Sequence, residues 1–232
     1  MDYTYIDKNL SRVKGDIAAA CAEGGFDPAG VTLMAAIKSA DVEEINYLHT
    51  TLGVTHVGEN RVQQLLERYD KLEREGLSIH FIGSLQTNKV KYIIDKVAMI
   101  HSVDSLKLAA EIDRQAKKKG IVMDVLVEIN GGAEDSKSGV LPEEAEALCL
   151  GIAEMSSLRL RGFMTMGPKF EKKEEYFKYF EQTSAQVLDI WTKKLHNIDR
   201  PILSMGMSES FEAAILAGAD FVRVGRGLFV KE

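Results

Sequence analysis

The sequence predicts an α/β fold: a single (β/α)8 TIM barrel preceded by one extra helix. Three observations carry this expectation. Short apolar runs rich in β-branched residues recur eight times along the chain. Amphipathic stretches with helical spacing lie between them, and glycines fall where those helices should stop. Strict alternation with short connections implies a parallel sheet covered outside by helices, and eight units favour a closed barrel over an open sheet. With no Pro/Gly/Ser-rich linker or low-complexity tract, residues 1–232 read as one domain.

The amphipathic segment 5–23 precedes the first strand and is expected to pack outside the barrel. The first strand reads over 31–37, a near-continuous apolar run that hands the chain to Lys38. The remaining strands are expected at 54–57, 79–83, 97–102, 122–129, 158–166, 201–205 and 221–224. Helices are expected at 62–72, 106–116, 143–155 and 211–217. Gly53, Gly76, Gly120 and Gly218 each stand a few residues before a strand, as helix C-caps do. The charged segment 169–178 reads as a loop and a solvated helix start.

Composition excludes several function classes. A net charge of −6 without a basic stripe argues against nucleic-acid binding. The longest basic run, Lys117-Lys118-Lys119, sits late in a predicted helix, where it complements the helix dipole. The chain shows neither a signal-peptide core nor an apolar stretch long enough for a membrane span. Cys21 and Cys149 lie far apart without metal-ligand spacing, as expected of a reducing compartment. A cytoplasmic monomer is the resulting expectation. His80 and His101 fall within strands and read as core residues, and no cluster has metal-ligand spacing. Met205 and Met207 read as packing material.

Ligands of such barrels bind at the carboxyl ends of the strands, with phosphate groups often held after strands seven and eight. Lys38 ends strand one, and an amine beside apolar walls loses hydration, which favours its neutral, nucleophilic form. Strand two runs into Gly58-Glu59-Asn60, strand three into Gly83-Ser84. Strand five leads to Asn130 and the polar loop 135–139, which carries Lys137. Strand seven leads to Ser208, read as the N-cap of the following helix, whose first amides would bind an anion. Glu209 would repel that anion unless it pointed away. Strand eight carries Arg223, then Gly225-Arg226-Gly227, whose glycines let backbone amides approach an oxyanion. Strands eight and one are neighbours in a closed barrel, so Arg223 and Lys38 are expected side by side at one rim. Read blandly, Ser208 only caps a helix, Arg223 closes an ion pair, and the glycines make a turn. Together at one mouth they suit an anionic aldehyde held by an amine, and pyridoxal 5′-phosphate (PLP) fits.

At these residues the chain resembles the pyridoxal phosphate homeostasis protein family. The matching stretches are Gly58-Glu59-Asn60, His80-Phe81-Ile82-Gly83, Gln86-Thr87-Asn88-Lys89 and Ser136-Lys137-Ser138-Gly139, then Leu160-Arg161-Gly162 with Met164. Leu203-Ser204-Met205-Gly206-Met207-Ser208 and Val222-Arg223-Val224-Gly225 complete them. The resemblance implies a barrel like the amino-terminal domain of alanine racemase, with PLP held as an internal aldimine on Lys38. It places Asn60 beside the ring, Arg223 opposite the pyridine nitrogen, and Ser208, Gly225 and Arg226 at the phosphate. Position 226 is commonly threonine in that family, and the sequence stops at 228–232 before the longer family tail.

An arginine at the pyridine nitrogen disfavours its protonation and leaves the ring a weak electron sink. Racemases of this kind add a carboxyl-terminal domain that supplies a second acid/base group, and none is expected after strand eight here. The expectation is a non-catalytic PLP carrier serving vitamin B6 homeostasis, with PLP-dependent apoenzymes as recipients. The competing readings are a minimal amino-acid racemase or lyase, and a barrel that binds another phosphorylated metabolite.

Overall fold

The computed structural model describes residues 2–132, 138–195 and 200–231. Eight parallel strands close in chain order. They are β1 (Thr32–Ala36), β2 (His56–Glu59), β3 (Ser78–Phe81), β4 (Met99–Val103), β5 (Met123–Ile129), β6 (Leu158–Thr165), β7 (Ile202–Met207) and β8 (Phe221–Val224). The seam pairs Thr32 with Phe221 and Ala35 with Val224. Helix α1 (Thr4–Gly24) precedes the barrel, and α2 (Val42–Thr50), α3 (Val62–Arg68), α4 (Val90–Ile93) and α5 (Leu106–Lys119) follow β1 to β4. Then come α6 (Pro142–Ala153), α7 (Lys173–Asp189), α8 (Phe211–Leu216) and a short α9 (Arg226–Phe229).

Local chemistry sets these boundaries. Asp41 and Glu44 form a reciprocal capping box that starts α2. Ser105 caps α5, Gly120 ends it in the left-handed region at φ 66°, and Lys117–Lys119 occupy its last turn. Gly53, Gly76 and Gly218 also take positive φ, the freedom required of each helix or turn stop. Helix α1 buries Ile6, Leu10, Val13 and Ile17 along one stripe. Its Asn9 amide donates to the carbonyls of Leu228 (3.1 Å) and Val230 (3.0 Å), fastening the segment after β8.

Several boundaries differ from expectation. Strand β1 stops at Ala36, so Lys38 stands in the turn beyond it. Strand β2 lies two residues later than expected, and Gly58 and Glu59 belong to its ladder. Helices α2 and α4 are additional elements. The segment at 169–178 is the approach to a long helix, α7, that buries Tyr176, Tyr179, Phe180 and Val187. Its charged start conceals an aromatic stripe at helical spacing. Cys21 and Cys149 are buried free thiols. No helix among the described residues is long and apolar enough to cross a membrane.

The main core lies between strands and helices. Smaller clusters fill the barrel itself: Met34, Ile82 and Phe221 form one, and Met99, Leu126 and Met164 another. Buried polar groups share that interior, among them His80, His101, Ser204, Glu128 and Arg223.

Candidate functional site

A cavity of about 270 Å³ opens at the carboxyl ends of the strands. Lys38, Asn60, Ser208, Arg223, Gly225 and Arg226 all line it. Its size suits a small ligand rather than a drug-sized one. The topology explains the gathering, because each residue lies at or just beyond the end of a strand of one closed sheet.

Lys38 differs from expectation in its surroundings. Its side chain is exposed, and its amine is unpaired among the described residues. The backbone that carries it is held firmly. Arg68 of α3 donates from Nη1 to the Ile37 carbonyl at 2.8 Å, and the same nitrogen lies 3.3 Å from Glu59 Oε2. Glu59, fully buried, accepts from the amides of Asn60 (2.7 Å) and Arg61 (3.0 Å) through Oε1. The carboxylate therefore couples the end of β2 to the turn of Lys38. Gly83 belongs to this arrangement: a Cβ there would fall 2.1 Å from the Asn60 carbonyl oxygen.

Arg223 does not stand beside Lys38 at the rim. Its Cα partner across the seam is Met34, ahead of Lys38 in the chain, and its buried side chain lines the same cavity. Only 4% exposed, it closes no ion pair among the described residues. Nη1 donates to Ser204 Oγ at 2.8 Å and Nη2 to the Thr165 carbonyl at 2.8 Å. Burial pulls its pKa down to about 10, with nearby Glu128 opposing the shift. It remains a cation at neutral pH, with further N–H groups for a ligand. Burial pushes Glu128 up to about 7, Asp104 adds to the rise, and Arg223 works against it.

The anion site is built from loop amides. Ser208 is not a helix cap: α8 begins at Phe211 after Ser210. Ser208 Oγ instead accepts from the amides of Gly225 (3.3 Å) and Gly227 (3.2 Å). These amides converge because both glycines approach other groups closely. A Cβ on Gly225 would lie 3.0 Å from the Ala36 carbonyl oxygen, and one on Gly227 2.9 Å from Val224 Cγ1. Glu209 lines the cavity too, where its charge is paired with Arg226 at 2.7 Å in an exposed ion pair. Arg226 thus presents its side chain to Glu209, and its backbone begins α9.

Sequence reasoning missed part of the lining. Met166 to Lys169, Tyr176, Ile82 and Ala36 complete the wall, and Met207, read as packing, is 40% exposed there. The ends of β6 and α7 supply much of this wall, and only the aromatic spacing of α7 signalled it. His80 and His101 are buried as expected, yet hydrogen-bonded in a line. Lys137 lies outside the described residues, as does most of its loop. No group of three metal-ligating side chains occurs among the described residues.

Residues 19–232 match the family described as alanine racemase, N-terminal domain. A protein of Aquifex aeolicus named pyridoxal phosphate homeostasis protein is 41% identical over 222 residues, covering 96% of each chain. The chain belongs to the pyridoxal phosphate homeostasis protein family. Two solved structures share the fold of this family member closely. One, an unknown protein from Bifidobacterium adolescentis, is 31% identical with TM-score 0.86, covering 99% of this chain and 97% of its own. The other, PipY of Synechococcus elongatus with PLP bound, is 28% identical with TM-score 0.80, covering 92% of this chain and 100% of its own.

Proposed function

We infer that this chain binds PLP at the barrel mouth and maintains its supply without robust turnover. The observation that carries the reading is one cavity lined by a free amine, a buried guanidinium and Ser208, on whose hydroxyl two glycine amides converge. Relatives named for PLP homeostasis, and one solved with PLP bound, support it. The residues fit the group, because Ser208 and the glycine amides gathered on its hydroxyl offer donors to an anion beside a buried cation.

When bound, PLP supplies a reactive aldehyde and an electron-withdrawing ring. Lys38 offers the amine that takes the aldehyde. Asn60 would border the ring, and Arg223 would face the pyridine nitrogen as a donor, which disfavours protonation of that nitrogen. Ser208 and the amides of Gly225 and Arg226 would hold the phosphate, with the Gly227 amide beside them. Holding the ring as a weak electron sink favours storage over reaction. No histidine or aspartate lines the cavity among the described residues, and its one glutamate, Glu209, is paired. The recipients are PLP-dependent apoenzymes, and two buried free thiols agree with a cytoplasmic setting.

Borohydride reduction of freshly purified protein, followed by peptide mapping, tests the site. The expected adduct lies on Lys38, and labelling of Lys89 or Lys137 alone overturns the assignment. Exchange of amino-acid α-protons in heavy water tests the carrier reading. Rates near the free-cofactor background are expected, whereas about 1 s⁻¹ or faster establishes a racemase or lyase instead.

A further inference from the structure

A line of hydrogen bonds runs through the barrel interior and ends on Arg223. His56 Nδ1 lies 2.9 Å from His80 Nε2, and His80 Nδ1 lies 2.9 Å from His101 Nε2. His101 Nδ1 lies 3.1 Å from Ser204 Oγ, which accepts from Arg223 at 2.8 Å. The line starts at β2 and crosses β3, β4 and β7 before reaching β8. His101 and Ser204 are fully buried, His80 nearly so, and His56 is half-buried at the opposite end of the barrel. The Phe221 ring packs against all three imidazoles, with centroids 5.6, 5.4 and 5.8 Å away.

The permanent charge of arginine gives this line a direction. A guanidinium only donates, so Ser204 Oγ accepts from it. Among the described residues, the Ser204 hydroxyl hydrogen then has one acceptor, His101 Nδ1. Orienting the line the other way would leave that hydrogen unsatisfied in a fully buried site, which is costly. With Nδ1 accepting, neutral His101 donates from Nε2 to His80 Nδ1, and His80 donates from Nε2 to His56 Nδ1. The imidazoles stay neutral: burial drives His80 down to about 3, with His56 adding to the effect, and His101 well below the ordinary range. Every buried group in the line is satisfied in this one orientation.

We propose that Ser204, His101 and His80, ended by His56, form a directional relay that locks the histidine tautomers and positions the Arg223 guanidinium at the ligand cavity. These are positioning residues, since none of them lines that cavity. The role at the pyridine nitrogen rests on the PLP reading above, whereas the tautomer lock does not.

The first measurement is therefore made on ligand-free protein. Long-range proton–nitrogen NMR of the imidazoles should show His80 and His101 each carrying a single proton, on Nε2. A proton on Nδ1 of either ring overturns the relay. Ser204→Ala then removes the hydroxyl with little change in volume. In this variant the His101 tautomer should lose its uniqueness, the absorbance band of bound PLP should shift, and PLP affinity should fall about tenfold. Ser204→Thr, which keeps the hydroxyl, should restore the band. If Ser204→Ala keeps wild-type affinity and absorbance, the line does not position Arg223 and the proposal fails. If wild type takes up no PLP, the functional reading fails, and the tautomers still decide the relay.

Discussion

Lys38 is exposed at the mouth, and its contribution to packing is small. Lys38→Ala should therefore abolish the reducible PLP adduct while leaving the urea midpoint within the range of ordinary surface substitutions, about ±0.5 kcal/mol. Ser208 has a different part, because its hydroxyl already sits on the amides of Gly225 and Gly227. Ser208→Ala should raise the dissociation constant for PLP by about tenfold, the cost of one hydrogen bond to a charged group. Binding of pyridoxal, which lacks the phosphate, should be unaffected; an equal loss for both ligands would make the nest a structural turn. At this scale the sequence revealed residues that line one cavity but not their support. Lys38, Asn60, Ser208, Arg223, Gly225 and Arg226 were legible because strand ends are legible. Arg68 and Ser204 were not, since their importance comes from partners far away in the chain.

At the scale of elements, close backbone approach matters more than propensity. The turn after β3 crosses the end of β2 so closely that a Cβ on Gly83 has no room beside the Asn60 carbonyl. Gly83→Ala should destabilise the protein by roughly 1–3 kcal/mol, the range for overpacking. It should also weaken PLP binding, because the displaced backbone carries Asn60. Chemical denaturation with PLP titration checks both effects, and an unchanged affinity would separate Asn60 from the ligand. The eight strands and most helix stops were readable from apolar runs and glycines. Strand β2 was misplaced because Val54 and Val57 advertise a strand at 54–57, whereas register with β3 begins at His56. The start of α7 was legible within 169–178, but its length was not, because the lysine- and glutamate-rich start hides the stripe of Tyr176, Tyr179 and Phe180.

For the whole molecule, the charges buried in the barrel set the pH range of stability. Glu128 has its pKa raised to about 7 by burial first, then by Asp104, against the pull of Arg223. A raised carboxyl contributes stability fully below its unfolded value and loses it as pH climbs through about 7. The buried imidazoles act in the opposite sense. His80, lowered to about 3, contributes stability above the unfolded imidazole value of 6.5 and loses it as pH falls toward 3. Stability should thus peak close to neutrality. Glu128→Gln removes the alkaline loss, so its stability relative to wild type should be greater at pH 8 than at pH 4.5 by up to about 3 kcal/mol. Urea denaturation at the two pH values measures the difference, and equal values would show that Glu128 ionises freely in the folded barrel.

The seam between β1 and β8 has a consequence for biosynthesis. Lys38 follows β1 and Arg223 lies on β8, so the amine leaves the ribosome well before the guanidinium. A nascent chain therefore has the amine long before it has the guanidinium and the glycine amides. Cofactor capture has to wait until the seam zips shut. On the proposed site, the ligand contacts both sides of the seam and, by mass action, holds it closed. PLP uptake at the proposed site doubles as a signal that the barrel seam has closed.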